Sequence, residues 1–272
     1  MKKLLLPLVI VAAFLMQSCS TVAVTGRKQL NLVSDSEVLT ASLTQYSDYM
    51  KTAKKSTNSK QTAQVVRVGK KIAAATEKYL TDNGMSNELK NFSWEFSLVQ
   101  SDEVNAFCMP GGKIVVYEGI MDLISSDDEL AVVMGHEVAH VVAKHSNERM
   151  SQQVLAEYGS QALSLVLSGK SSVTQQVAST VYGLGAQYGV MLPYSRKHEI
   201  EADYMGLVFM ELSGYKLESA TAFWKKMSAG GSSTPEFLST HPSDASRIEA
   251  LNKAIPEVKQ KYLKKCLLKG ES

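Results

Sequence analysis

The chain has 272 residues, with 29 Lys and Arg against 27 Asp and Glu, a formal charge of +2. At 44% hydrophobic and 21% charged residues, it has neither the basic surplus of a nucleic-acid binder nor the polarity of a disordered chain. Its three cysteines are too few for a disulfide scaffold.

The surplus of two positive charges sits in Lys2 and Lys3, because residues 1–18 hold no Asp or Glu. After this positive start, residues 4–16 form an apolar run that is too short to span a membrane as a mature helix and fits a signal segment. Gln17-Ser18-Cys19-Ser20 resembles a bacterial lipoprotein cleavage site, which makes residues 1–18 the signal peptide and Cys19 the lipidated first residue. Gln17 is looser than the tightest form of that motif, and an ordinary secretory signal with an incidental cysteine is the alternative. Either way the protein leaves the cytoplasm, and Ser20 is compatible with outer-membrane sorting. Cys108 and Cys266 can pair in an oxidising compartment or remain two small hydrophobes, since geometry decides.

A helix is expected over about 35–50, capped by Ser34 or Ser36. The polar tract 51–61 reads as a mobile loop. Val65, Val68, Ile72 and Ala75 recur at helical spacing and predict an amphipathic helix over 62–80, ended by Asn83-Gly84. Residues 94–99 alternate as a strand, and Pro110-Gly111-Gly112 turns the chain into the β-branched run Ile114, Val115, Val116, Tyr117. Ser125-Ser126-Asp127-Asp128-Glu129 starts a helix expected to reach about Met150. Glycine-interrupted apolar helices follow over 151–168 and 172–190. Further helices are expected over 196–212, 217–229 and 245–254, the last after a loop with Pro235 and Pro242.

Residues 136–140 read His-Glu-Val-Ala-His. At 3.6 residues per turn, His136 and His140 share one helix face and can reach one zinc ion. Glu137 beside them is a candidate general base. A zinc hydrolase needs a third protein ligand. A histidine six residues after His140 is excluded, since Ser146 stands there, and His145 is one position off and reads as a solvated helix residue. Glu199 is the preferred third ligand over Glu157 and Glu201. Glu199 and Asp203 lie four residues apart on one helix face, so Asp203 can orient a ligand histidine from its outer nitrogen while Glu201 points elsewhere.

The motif at 136–140, followed by Glu199-Ile200-Glu201-Ala202-Asp203, resembles the zinc endopeptidases of peptidase family M48, which include the CAAX prenyl endopeptidases and periplasmic quality-control proteases. Asn105-Ala106-Phe107, Thr240-His241-Pro242 with Arg247-Ile248, and Thr25-Gly26-Arg27 fit further family segments, the last in its lipoprotein branch. The resemblance implies a mainly helical α+β zincin (gluzincin) fold with a small sheet beside the active-site helix. It implies one zinc ion per chain on His136, His140 and Glu199, with Glu137 as general base. It also implies a substrate strand at Ile114, Val115, Val116 and Tyr117. His241 would be an oxyanion stabiliser or a removable zinc ligand, while Tyr194, Arg196 and Arg247 are weaker candidates for supporting roles. The expected domains are a signal (1–18), a lipid-anchored leader with a helix (19–60) and the metallopeptidase domain (61–272). The expected function is cleavage of misfolded or misassembled envelope proteins by a periplasm-facing lipoprotein, with no nucleic-acid partner and an undetermined oligomeric state. The alternative is a zinc-binding, proteolytically quiet chaperone or assembly factor for outer-membrane proteins.

Overall fold

The first described element is an antiparallel hairpin of β1 (Cys19–Thr21) and β2 (Lys28–Leu30). A computed structural model describes residues 19–186, 192–229, 241 and 245–269. Residues 1–18, expected to be a signal segment, lie outside the described residues with Pro235, Thr240 and Pro242, as do the side chains of Cys19, Tyr194 and Cys266. The hairpin closes through Val22 N–H to Arg27 O at 2.8 Å and Gly26 N–H to Val22 O at 3.0 Å. Gly26 has φ +72°, a left-handed value that glycine adopts without side-chain strain. Val22 is buried in the main core, which fastens the segment to the body.

Helix α1 (Asp35–Thr52) starts at a capping box: Ser34 Oγ accepts from Glu37 N–H while Glu37 accepts from Ser34 N–H. The tract expected to be a mobile loop is largely structured. Residues 53–58 run along the sheet, with Ser56 N–H on Leu98 O and Gln100 N–H on Lys54 O. Such pairing uses main-chain groups only, so polar side chains do not betray it. Asn58 then caps α2 (Ser59–Asp82), whose apolar stripe buries Val65, Val68, Ile72 and Leu80.

A 3₁₀ turn (Ser86–Asn91) leads to β3 (Glu95–Val99), β4 (Ala106–Met109) and β5 (Lys113–Tyr117). Strand order is β3-β5-β4, with β3 parallel and β4 antiparallel to β5. This corrects the expected substrate strand. Ile114, Val115, Val116 and Tyr117 are the centre of the sheet, and their backbone groups are engaged on both sides. Their β-branched run is the mark of burial from two sides, which hydropathy does not distinguish from an edge. Among the described residues, the strand edge near the site with no further strand on it belongs to β4, where Cys108 N–H is taken by Glu137.

After the short α3 (Glu118–Met121) comes α4 (Asp127–Val142), capped by Ser126 and led by three acids. From Leu130 to Val142 every residue is buried, so α4 is the central helix of the core. It ends eight residues before the expected Met150. Lys144 adopts φ 56°, held by Asp35 (2.6 Å) and Glu88 (2.8 Å), and the chain restarts as α5 (His145–Leu167).

The glycine-interrupted regions form the continuous α5 and α6 (Ser172–Ala186). Next come α7 (Leu192–Leu212), α8 (Glu218–Ser228) and α9 (Ala245–Lys269). Helix α9 passes through Pro256, a residue that costs about 3 kcal/mol in a helix interior. Burial of Leu251, Val258 and Tyr262 on both sides of the proline offsets that cost and carries the helix beyond the expected end near Ala254.

Helices α4 and α7 cross where Gly135 faces Gly206. A Cβ on Gly206 would sit 3.1 Å from His136 N, and one on Gly135 would sit 3.1 Å from Gly206 O. Two glycines in helix interiors cost about 1 kcal/mol each. Here they permit the backbone approach that brings Glu199 and Asp203 of α7 against His136 of α4.

Candidate metal centre

His136 and His140 project from one face of α4, buried and one turn apart. His136 Nδ1 lies 2.9 Å from Asp203 Oδ1. Arg247 of α9 grips the same carboxylate with two bonds of 2.7 Å, and its guanidinium lies 3.9 Å over the Trp224 ring. Arg247 also donates to His241 O at 3.1 Å, so one buried cation ties α9, α7 and the residue 241 backbone together. Arg196, the other candidate for this role, is exposed. With Nδ1 of His136 donating to Asp203, Nε2 faces the site and would become a ligand on loss of its proton to an incoming metal.

That Nε2 is 3.1 Å from His140 Nε2, 3.1 Å from His241 Nδ1 and 3.2 Å from Glu199 Oε2. Glu199 reaches His241 Nδ1 at 2.9 Å and His140 Nε2 at 3.4 Å. One donor atom from each of His136, His140, Glu199 and His241 thus lies within 4.8 Å of the others. Glu157 is away from this cluster, exposed on α5 beside Gln161.

The donor set fits zinc. Converging imidazole nitrogens and a carboxylate are a zinc ligand set, and Glu199 Oε1 is a buried oxygen with no hydrogen-bond partner among the described residues. Burial raises the Glu199 carboxyl, but His140, His136 and His241 outweigh it and hold the group well below the usual carboxylate range. Burial likewise lowers His136, but Asp203 and Glu199 overcome it and bring the ring up to about 9. His140 is driven well below its ordinary value, chiefly by burial.

Glu137 turns from α4 toward the sheet. Its Oε2 accepts Cys108 N–H at 2.9 Å, and Oε1, 3.5 Å from His241 Nε2, has no hydrogen-bond partner among the described residues. Burial raises the Glu137 carboxyl, which suits a proton acceptor. Cys108 is a free thiol on the β4 edge, also raised by burial.

His145 departs most from expectation. It is 1% exposed rather than solvated, with Nδ1 2.8 Å from His140 Nδ1 and Nε2 3.0 Å from Glu201 Oε2. The left-handed Lys144 is the reason: it breaks the helix and turns His145 inward. Glu201 does point away from the ligand cluster, but it is buried in this outer layer.

A capped helix carrying two histidines and a glutamate base, with a glutamate from a second helix, defines a zincin-type metallopeptidase centre. The model of peptidase family M48 matches residues 59–255, and the chain belongs to that family of zinc-dependent metallopeptidases. Its relatives include the "Mitochondrial metalloendopeptidase OMA1" of Schizosaccharomyces pombe, 36% identical over 205 residues, 74% of this chain and 55% of that protein. The "Metalloendopeptidase OMA1, mitochondrial" of Homo sapiens is 27% identical over 245 residues, 86% of this chain and 45% of that protein. The "Beta-barrel assembly-enhancing protease" of Escherichia coli K12 is 30% identical over 189 residues, 65% of this chain and 38% of that protein. The chain thus spans about half the length of these relatives, or less. Among the described residues no helix is long and apolar enough to cross a membrane.

Proposed function

We propose that this protein is a zinc-dependent endopeptidase of the bacterial envelope that hydrolyses misfolded or misassembled envelope proteins. The observation that carries the catalytic part is Glu137: a buried carboxylate anchored by Cys108 N–H, with its second oxygen beside the ligand cluster and without a hydrogen-bond partner among the described residues. His136, His140 and Glu199 would hold zinc. The ion, when bound, supplies Lewis acidity toward the scissile carbonyl and the attacking water. Glu137 accepts the water proton on Oε1 and returns it to the leaving amine. The outer edge of β4, beside Glu137, is the site for an extended substrate paired by main-chain bonds, which gives broad specificity. A small cleft lined by Val38, Leu39, Phe92, Val141, Lys144 and His140 opens next to it, where part of a substrate side chain can rest.

The envelope location rests on residues 1–18 and Cys19 and on the relative named for β-barrel assembly, and runs against the mitochondrial relatives. A second reading, the proteolytically quiet chaperone, is favoured by His241. This residue would offer a fourth protein donor beside His136, His140 and Glu199, whereas a catalytic zinc needs a position left for water. Exposed Leu165, Val166, Val173, Val177 and Val181 on α5 and α6 suit capture of unfolded chains. Cleavage of casein by the chain from Cys19, with and without a chelator and beside Glu137→Gln, separates the two. Chelator-sensitive cleavage that falls about 10²–10⁴-fold in Glu137→Gln is expected. Client binding by zinc-loaded protein without cleavage would favour the chaperone.

A further inference from the structure

Arg27 lies outside the region matched by the family model, in the turn between β1 and β2, yet its guanidinium enters the layer behind the metal ligands. Its Nε donates to Glu201 Oε2 at 2.8 Å, and its two terminal nitrogens donate to Glu148 at 3.0 and 2.7 Å. Thr25 Oγ1, from the same turn, donates to Glu201 Oε1. Both acids are buried on helices of the body, Glu148 on α5 and Glu201 on α7.

From these two carboxylates, two supports converge on His145. Glu201 takes its Nε2 at 3.0 Å. Glu148 takes His198 Nε2 at 2.9 Å, and the His198 ring stacks on His145 at 4.2 Å, 14° from parallel. His145 in turn meets His140 Nδ1 at 2.8 Å. With its Nε2–H donated to Glu201, His145 has a bare Nδ1, which accepts the Nδ1 proton of His140. That fixes the tautomer in which His140 presents its Nε2 lone pair to the metal. Asp203 does the same for His136 directly. A ligand histidine whose outer nitrogen is unsupported loses both its tautomer and its aim.

We propose that Arg27 is a positioning residue of the zinc site, which holds Glu201 and Glu148 so that His145 fixes the tautomer and orientation of His140. The N-terminal segment is then a working part of the metal centre. Glu201 and Glu148, two buried acids on different helices, would repel each other without the guanidinium between them. The arrangement needs the Arg27 fork, because one planar cation must bond two carboxylates at once. The turn delivers it: Gly26 at φ +72° sets Thr25 and Arg27 on the same carboxylate.

The inference rests on His140 being a zinc ligand, and the test separates the two claims. Zinc dissociation constants are measured by chelator competition on the chain from Cys19, at a temperature where circular dichroism shows each variant folded. Arg27→Gln is expected to weaken zinc about 10–100-fold, the range for loss of an outer support, and Arg27→Lys to recover part of that loss. Nitrogen-15 spectra of the metal-free protein should show the His140 ring protonated on Nδ1 in the wild type and as a tautomer mixture in Arg27→Gln. Leu80→Ala, a core change in α2 distant from the site, should lower thermal stability and leave zinc affinity unchanged. If Arg27→Gln does not fold, Thr25→Val removes one donor from Glu201 without a charge change and should weaken zinc roughly threefold. Folded Arg27→Gln or, in its place, Thr25→Val with wild-type zinc affinity overturns the role of Arg27, as does an equal zinc loss in Leu80→Ala. Undiminished affinity in His140→Ala overturns the ligand assignment instead.

Discussion

Replacement of Asp203 by asparagine tests how much of the metal site lies outside the ligands. Asp203 receives His136 Nδ1 at 2.9 Å and two Arg247 bonds of 2.7 Å, all within the core. Asparagine keeps the shape but removes the charge, and its amide nitrogen must face one of two donors. Loss of such an outer carboxylate weakens metal binding about 10–100-fold, or roughly 1.4–2.7 kcal/mol. The metal-free fold also suffers, because a buried ion pair that loses one partner costs about 3–5 kcal/mol. Arg247 keeps Glu199 Oε2 at 3.3 Å and His241 O at 3.1 Å, which puts the expected cost at the lower end, about 3 kcal/mol. For a domain of this size that corresponds to a melting shift of roughly 6–12 °C. Chelator competition gives the zinc affinity and calorimetry of the metal-free protein gives the melting temperature. Zinc affinity within about threefold of wild type, with an unmoved melting temperature, would refute the assigned role.

Glu199→Ala should abolish stoichiometric zinc, measured by atomic emission, while Glu157→Ala on the exposed face of α5 leaves it intact; the reverse pattern would reassign the third ligand. Gly206→Ala places a Cβ 3.1 Å from His136 N and should push α7 off α4, so zinc affinity falls although helix propensity improves; unchanged affinity would show that the crossing has slack. His241→Ala removes one of the four converging groups, so zinc should bind more weakly while casein cleavage by the zinc-loaded variant rises; a fall in cleavage would make His241 an oxyanion donor. For pH, burial holds His145 down at about 4 in the metal-free fold against 6.5 for the free side chain. The unfolded chain therefore binds the extra proton between those values, and His145 alone should lower stability by about 3 kcal/mol as pH falls from 6.5 to 4; His140, also lowered, acts in the same direction and the raised Glu137 against it. Burial raises Glu148 and Glu201, but His198 and Arg27 for the first and His145 and Arg27 for the second hold each at about 2, so a further loss follows below pH 4.5. Denaturant midpoints that stay flat from pH 7 to 4 would contradict this.

The linear sequence by itself determined what local spacing can encode. Residues 136–140 place two histidines and a glutamate on one capped helix, and Glu199 with Asp203 share a face because helical periodicity alone aligns them. The family resemblance and the small sheet beside a helical body were legible for the same reason. Tertiary structure decided everything that depends on a partner far along the chain. The run Ile114, Val115, Val116, Tyr117 is apolar whether it lies at the centre or the edge of a sheet, so only strand order shows that β4 holds the free edge. Pro256 reads as a helix stop until the buried Leu251, Val258 and Tyr262 outweigh its cost. His145 reads as solvated because helical phase carries it outward from His140, and only the left-handed Lys144, pinned by Asp35 and Glu88, turns it in. Arg27, more than a hundred residues before Glu148 and Glu201, is legible only as part of the Thr25-Gly26-Arg27 resemblance, and nothing local names its partners: buried charges find their counter-charges in space, and that pairing is fixed when the chain packs.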